Sequence, residues 1–228
     1  MPDRSISIAK HPAVPYVAPF AVFMLFIALA HWLPGSPGLL YPIRVVVVGV
    51  VLAVFSRRLV SLRAGNWVGS IGIGVIVFVL WVAPDVLWSA YRSHWLFDNA
   101  LVGSAKSSVP HDVKTDLVFI ALRIFGSVAL VPVLEELFWR GWLMRWLIGP
   151  DFQVVRLGSY TPYAFWVTAF LFAAEHGSYW DVGLLAGIIY NWWMVRTGRL
   201  ADCIVAHAVT NGLLAVYVLS SGQWQYWL

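Results

Sequence analysis

The sequence predicts an all-α protein, a polytopic bundle of membrane helices that encloses its polar groups. Three observations carry that prediction. Of 228 residues, 61% are hydrophobic and only 11% charged, whereas soluble domains carry about 25% charged residues. The apolar residues gather into segments of spanning length, about 20 residues for a hydrocarbon core about 30 Å thick. The arginines and lysines fall between those segments in an alternating pattern.

Seven segments stand out, at 15–33, 41–56, 67–84, 116–148, 162–176, 181–196 and 200–219. At about 1.5 Å per residue the fourth is too long for one straight span. Pro132 lies in its middle, so a kink is expected there, or a division that would raise the count from seven helices to eight. The chain divides into N-terminal helices and an external loop (1–115), a helical core (116–219) and an aromatic C-terminal tail (220–228).

Charge placement orients the bundle. Arg4 and Lys10 precede the first segment. Arg57, Arg58 and Arg63 follow the second, Arg145 and Arg156 the fourth, and Arg196 and Arg199 the sixth. These regions share one side of an alternating topology, the cytoplasmic side by the positive-inside rule. The first helix is read as uncleaved, the N-terminus as cytoplasmic and the C-terminus as external, in a bacterial inner membrane. In the external loop 85–115, Arg92, Lys106 and Lys114 are balanced by Asp85, Asp98 and Asp112. Trp224, Tyr226 and Trp227 are expected to anchor the outer interface. Arg123 is expected to snorkel to that interface or to pair with Asp116.

The net charge of +4 follows from loop arginines, so the expected partners are lipid and a membrane peptide or protein, not nucleic acid. The single cysteine, Cys203, excludes an intramolecular disulfide, a Cys-rich metal site and CxxC redox chemistry.

Ionisable residues at membrane depth are costly and tend to be functional. Glu135 and Glu136 lie inside the fourth segment, with Arg140 four positions after Glu136. Glu136 and Arg140 should therefore pair, while Glu135 points about 100° away. The fifth segment ends Phe172-Ala-Ala-Glu175-His176, and the seventh contains His207 and Asn211, which share one helix face. Glu135 lies 13 residues before Ile148, and His176 lies 14 after Pro162. Both are then about 20 Å from the same membrane face. His207 and Asn211 fall about 10–17 Å from it, so the four can meet.

A carboxylate, two imidazoles and an amide suit amide-bond hydrolysis. A buried Glu can take a proton from water, histidines can orient that water or protonate the leaving amine, and Asn can donate to the oxyanion. Glu135, His176 and His207 also have the ligand types of a catalytic zinc site. The cofactor is therefore either a divalent metal such as zinc or none. Each residue also has a plain reading. Glu136–Arg140 can be a structural ion pair, His207 with Asn211 an interhelical hydrogen-bond group, Glu175 a residue at the outer aqueous boundary, and Asp202 a complement to a helix dipole.

Glu-Glu-x-x-x-Arg, Phe-x-x-x-His and His-x-x-x-Asn, in order on successive apolar helices, resemble the CAAX prenyl protease 2 type, the CPBP or Abi family of intramembrane proteases. Here they read Glu135-Glu136-Leu-Phe-Trp-Arg140, Phe172-Ala-Ala-Glu-His176 and His207-Ala-Val-Thr-Asn211. The resemblance spans about 116–219. It implies an intramembrane endopeptidase in which Glu135 activates water, His176 and His207 complete the site, Asn211 stabilises the oxyanion, and Glu136 and Arg140 give support. Short length, abundant Trp and Glu175 before His176 resemble the bacterial exosortase-associated, CAAX protease-related branch, whose substrates need not be prenylated. Two other functions use the same residues: a non-catalytic scaffold or bacteriocin-immunity protein, and a proton or metal transporter. The absence of internal repeats weighs against the transporter.

Overall fold

The computed structural model describes residues 11–30, 32–33, 35–61 and 63–227. Among them the chain forms seven apolar helices and no β-strand: α1 (Val14–Leu29), α2 (Pro37–Phe55), α3 (Trp67–Leu87), α4 (Leu117–Trp146), α5 (Pro162–Ala174), α6 (Trp180–Thr197) and α7 (Leu200–Ser221). Four of them, α2, α3, α4 and α7, are long and apolar enough to cross a membrane, and α1 and α5 are shorter apolar helices. The protein is an integral membrane helix bundle. Arg4 and Lys10, expected beside the first helix, lie outside the described residues.

Local chemistry sets the helix ends. Asn66 caps α3 by accepting from Gly69 N–H at 2.9 Å, and Thr161 caps α5 by accepting from Ala164 N–H at 3.2 Å. Asp116 caps α4 by accepting from Val118 and Phe119 N–H, so it does not pair with Arg123. Gly198 (φ 63°) and Gly222 (φ 71°) end α6 and α7 in the left-handed region, where a side chain is disfavoured. Asp202 does more than complement a helix dipole. It is buried, and its Oδ1 accepts from Asn66 N–H at 3.0 Å, tying the start of α7 to the start of α3.

α4 runs as one helix, without the division into two. Pro132 has no N–H to donate, and its ring collides with a carbonyl one turn back. The helix absorbs this by widening to π geometry over Gly126–Leu130, where Val131 N–H donates to Gly126 O, five residues back. A second π stretch, Leu137–Leu143, follows the two glutamates. Such insertions are frequent at functional sites. α3 packs closely along α7, because a Cβ on Gly74 would lie 2.5 Å from the Ala206 carbonyl. Thr210 on α7 donates to Gly74 O at 2.9 Å and accepts from Tyr190 OH on α6 at 2.7 Å. The three helices are thus locked in register.

The loop 88–116 and the C-terminal segment cover one end of the bundle. Ser108 N–H donates to Trp227 O at 2.9 Å. Arg92 reaches Asp85 at 3.0 Å, Asp181 at 2.6 Å and Ser178 O at 2.8 Å, which ties the loop to α3 and α6. Tyr226 and Trp227 are buried. They are not interfacial anchors, because their rings fold back over Tyr179, Tyr217 and Arg123. Arg123 does not snorkel outward either. Its side chain is buried and stacks over the Tyr41 ring at 4.5 Å.

Candidate active site

Glu135, His176, His207 and Asn211 line one cavity of about 200 Å³, together with Trp81, Ser127 and Tyr190. α4 and α7 and the turn just after α5, where His176 lies, supply the four side chains, which the sequence places at similar depth. Tyr226 and Trp227 lie in the same wall.

Glu136 and Arg140 sit behind the cavity, fully buried. Arg140 Nη1 donates to Glu136 Oε1 at 3.1 Å, Nε to Asn191 Oδ1 at 2.8 Å and Nη2 to Gly187 O at 3.3 Å. Its guanidinium lies 4.6 Å from the centre of the Phe172 ring, a cation–π contact strengthened by desolvation. That ring packs on His176, centroids 4.7 Å apart. Phe172 therefore separates the cation from the His176 imidazole. Asn191 also donates to Phe165 O at 2.9 Å, so one amide links α4, α5 and α6.

The hydrogen bonds assign the histidine tautomers. His207 Nδ1 lies 3.0 Å from Glu136 Oε1, an acceptor already held by Arg140. Nδ1 must then carry a proton, and in the neutral ring Nε2 is the nitrogen with the lone pair. Nε2 lies 4.0 Å from Glu135 Oε2. His176 Nδ1 lies 2.6 Å from Phe172 O. A carbonyl only accepts, so Nδ1 carries the proton of the neutral His176 ring, and Nε2 is then the nitrogen with the lone pair. Tyr190 stacks on the His207 ring, centroids 5.2 Å apart, and fixes its plane.

Glu135 is 6% exposed, and among the described residues no donor reaches its Oε2 within hydrogen-bonding distance. It is the less bonded member of the glutamate pair, and Glu136 is the braced one. Glu175 is turned inward at the end of α5. It is half-buried and accepts from Trp139 Nε1–H at 3.1 Å. Oxygens of Glu135 and Glu175 and a His176 nitrogen lie within 4.8 Å of one another. That cluster differs from the Glu135–His176–His207 set, since Glu175 enters and His207 does not.

Asn211 carries a structural load. Its Nδ2 donates to Ser127 O at 2.8 Å. In the π stretch Ser127 is five residues before Pro132, which has no N–H to give. Asn211 supplies the missing donor and keeps a second N–H for the cavity. Asn211→Leu should lower stability by about 1–3 kcal/mol, the cost of stranding a buried carbonyl. Thermal unfolding in detergent checks this. A melting temperature equal to that of the wild type would remove the structural role.

Sequence reasoning missed Asn191, Trp139 and Tyr190. Asn191 had a signal, because an amide in the middle of an apolar helix needs a partner. Trp139 and Tyr190 had none, because aromatic residues are common throughout the chain.

Residues 117–213 match the family model described as type II CAAX prenyl endopeptidase, Rce1-like. Neither the curated proteins nor the solved structures contain a match.

Proposed function

We propose that this protein, whose residues 117–213 match the family model of the type II CAAX prenyl endopeptidases, hydrolyses a peptide bond of a membrane-associated or lipid-modified substrate by a water activated at Glu135. The observation that carries the reading is the meeting of Glu135, His176, His207 and Asn211 in one cavity.

The geometry supports a simple sequence of steps. Glu135 lines the cavity, and a water held there would be placed to donate to its carboxylate and to the Nε2 of His176. Glu135 takes a proton from that water as its oxygen attacks the scissile carbonyl carbon. The carbonyl oxygen gains the negative charge, and the second N–H of Asn211 donates to it. The tetrahedral intermediate collapses with cleavage of the C–N bond. The proton held by Glu135 passes to the leaving nitrogen, which departs as an amine. His207, held by Glu136 and Tyr190, keeps the Glu135 side of the cavity in shape. The positive-inside pattern supports a cytoplasmic N-terminus, which puts the loop 88–116 outside.

The test uses the full chain reconstituted in liposomes. Two substrates are offered, a farnesylated peptide ending in Cys-a-a-X and a single-span membrane peptide without a lipid. Products are read by mass spectrometry. Cleavage of either at one defined bond is expected. An intact pool of both peptides with folded wild-type protein would overturn the peptidase reading for these substrate classes.

A further inference from the structure

We propose that Arg44, on α2, anchors an anionic phospholipid, with the phosphate on its guanidinium and an acyl chain along the crevice between α1, α2 and α4. Arg44 stands inside an apolar run, Ile43-Arg44-Val-Val-Val-Val, on a helix long and apolar enough to cross a membrane. A charge in such a place is costly and is almost always paired. Among the described residues no carboxylate pairs with Arg44, since the ion pairs belong to Arg92, Arg140 and His207. Its partners are aromatic. The guanidinium lies 5.1 Å from the centre of the Phe23 ring on α1 and 4.8 Å from that of Tyr41. Such contacts hold the group in place but leave its charge uncancelled. Arg123 on α4 stacks over the same Tyr41 ring at 4.5 Å, so a second cation adds to the field.

The placement suits a lipid. Arg44 lies seven residues after Pro37, and Arg123 six after Leu117, so both are about 10 Å inside the same end of the bundle. That end carries the loop 88–116, because a Cβ on Gly38 would lie 2.9 Å from Val113 Cγ1. An arginine two turns inside a spanning helix reaches toward the headgroups by extending its stem. Beside Arg44 the crevice is apolar, lined by Phe23, Val45, Val48, Leu130 and Val131. Next to the crevice α2 exposes Ile43, Val46, Val47 and Val50, the kind of surface that hydrocarbon covers. A cation above an apolar wall matches a diacyl phosphodiester. The guanidinium can hold two phosphate oxygens at once, and basic pockets between membrane helices bind anionic headgroups. A soluble phosphate has no chain for the crevice, and a zwitterionic lipid brings a cation of its own. Val131 also lines the catalytic cavity, so the lipid would lie against the outer side of the cavity wall. Arg44 is outside that cavity, and lipid binding there is independent of whether the cavity cleaves peptides.

The experiment counts lipid. The purified full chain in detergent receives equal amounts of phosphatidylglycerol and phosphatidylcholine with matched acyl chains, and native mass spectrometry reads what stays bound. One phosphatidylglycerol per chain is expected, held at least about fivefold better than phosphatidylcholine, the worth of one arginine to an anionic lipid. Arg44→Gln should lose that preference. Melting temperatures confirm folding, and Arg44→Met, which keeps an unbranched stem, serves as a second variant should Arg44→Gln not fold. Arg156 is exposed in the segment between α4 and α5, and Arg156→Gln should keep the preference, which separates a site from a general attraction of opposite charges. Glycerol 1-phosphate at the same concentration should displace no lipid. The proposal is overturned by equal retention of the two lipids on folded wild type, or by folded Arg44 variants that keep the preference. It is equally overturned if Arg156→Gln loses as much as Arg44→Gln, or if glycerol 1-phosphate displaces the lipid, which would mark a site for free phosphate.

Discussion

Glu135→Gln should lower the rate of substrate cleavage by about 100- to 10,000-fold, the range for loss of a positioned general base. The amide keeps the size of the carboxylate, so the cavity keeps its shape. It cannot accept the water's proton, so the step that generates the nucleophile fails. Stability should move the other way or not at all. Glu135 is buried with an oxygen that nothing in the fold bonds, and an uncompensated buried charge is a cost to the native state. An equal or higher melting temperature beside a collapsed rate is the expected pair of results. Full activity in the folded variant would remove Glu135 from the chemistry.

Arg140→Ala should destabilise the bundle by about 3–5 kcal/mol, the cost of leaving one partner of a buried ion pair uncompensated. Arg140 has its full set of contacts inside the protein: Glu136, Asn191 and Gly187 as acceptors and Phe172 as a π face. Its removal strands the Glu136 carboxylate with only the His207 N–H. The double variant Glu136→Leu, Arg140→Met should recover part of the loss, since buried pairs replaced by apolar residues of similar size are often tolerated. Recovery would stay incomplete because Asn191 also loses a donor. Unfolding in detergent measures both variants. Arg140→Ala with wild-type stability would show that the brace is dispensable.

The seven helices were legible in the chain because hydrophobic length is a local property. A segment such as 200–219 can satisfy its own backbone hydrogen bonds in lipid only as a helix. The Glu136–Arg140 pair was legible for the same kind of reason, since four residues on a helix bring two side chains to one face. Counting rise along the fourth, fifth and seventh segments gave Glu135, His176, His207 and Asn211 similar heights, and in the fold these residues line one cavity.

What failed at the sequence level depended on long-range neighbours. Arg123 and Trp227 read as interfacial because that is where such side chains go when exposed to lipid. The folded chain offers them each other's surfaces instead. Of the two readings of Pro132, a kink or a division, the division does not hold: the π stretch before it, with Asn211 donating across from α7, makes it an interruption the helix can carry. Glu175 read as a boundary residue because it lies at a helix end. Only packing puts the Trp139 N–H and the Glu135 carboxylate beside it.

By itself, then, the sequence determined a membrane helix bundle with polar residues on several of its apolar segments, through periodicity and length, which are properties of single segments. The tertiary structure alone decided which nitrogen of each histidine is free, which glutamate is braced, and that Glu175 shares the cavity's carboxylate cluster. These depend on hydrogen-bond partners contributed by other helices, and no spacing along one helix encodes them.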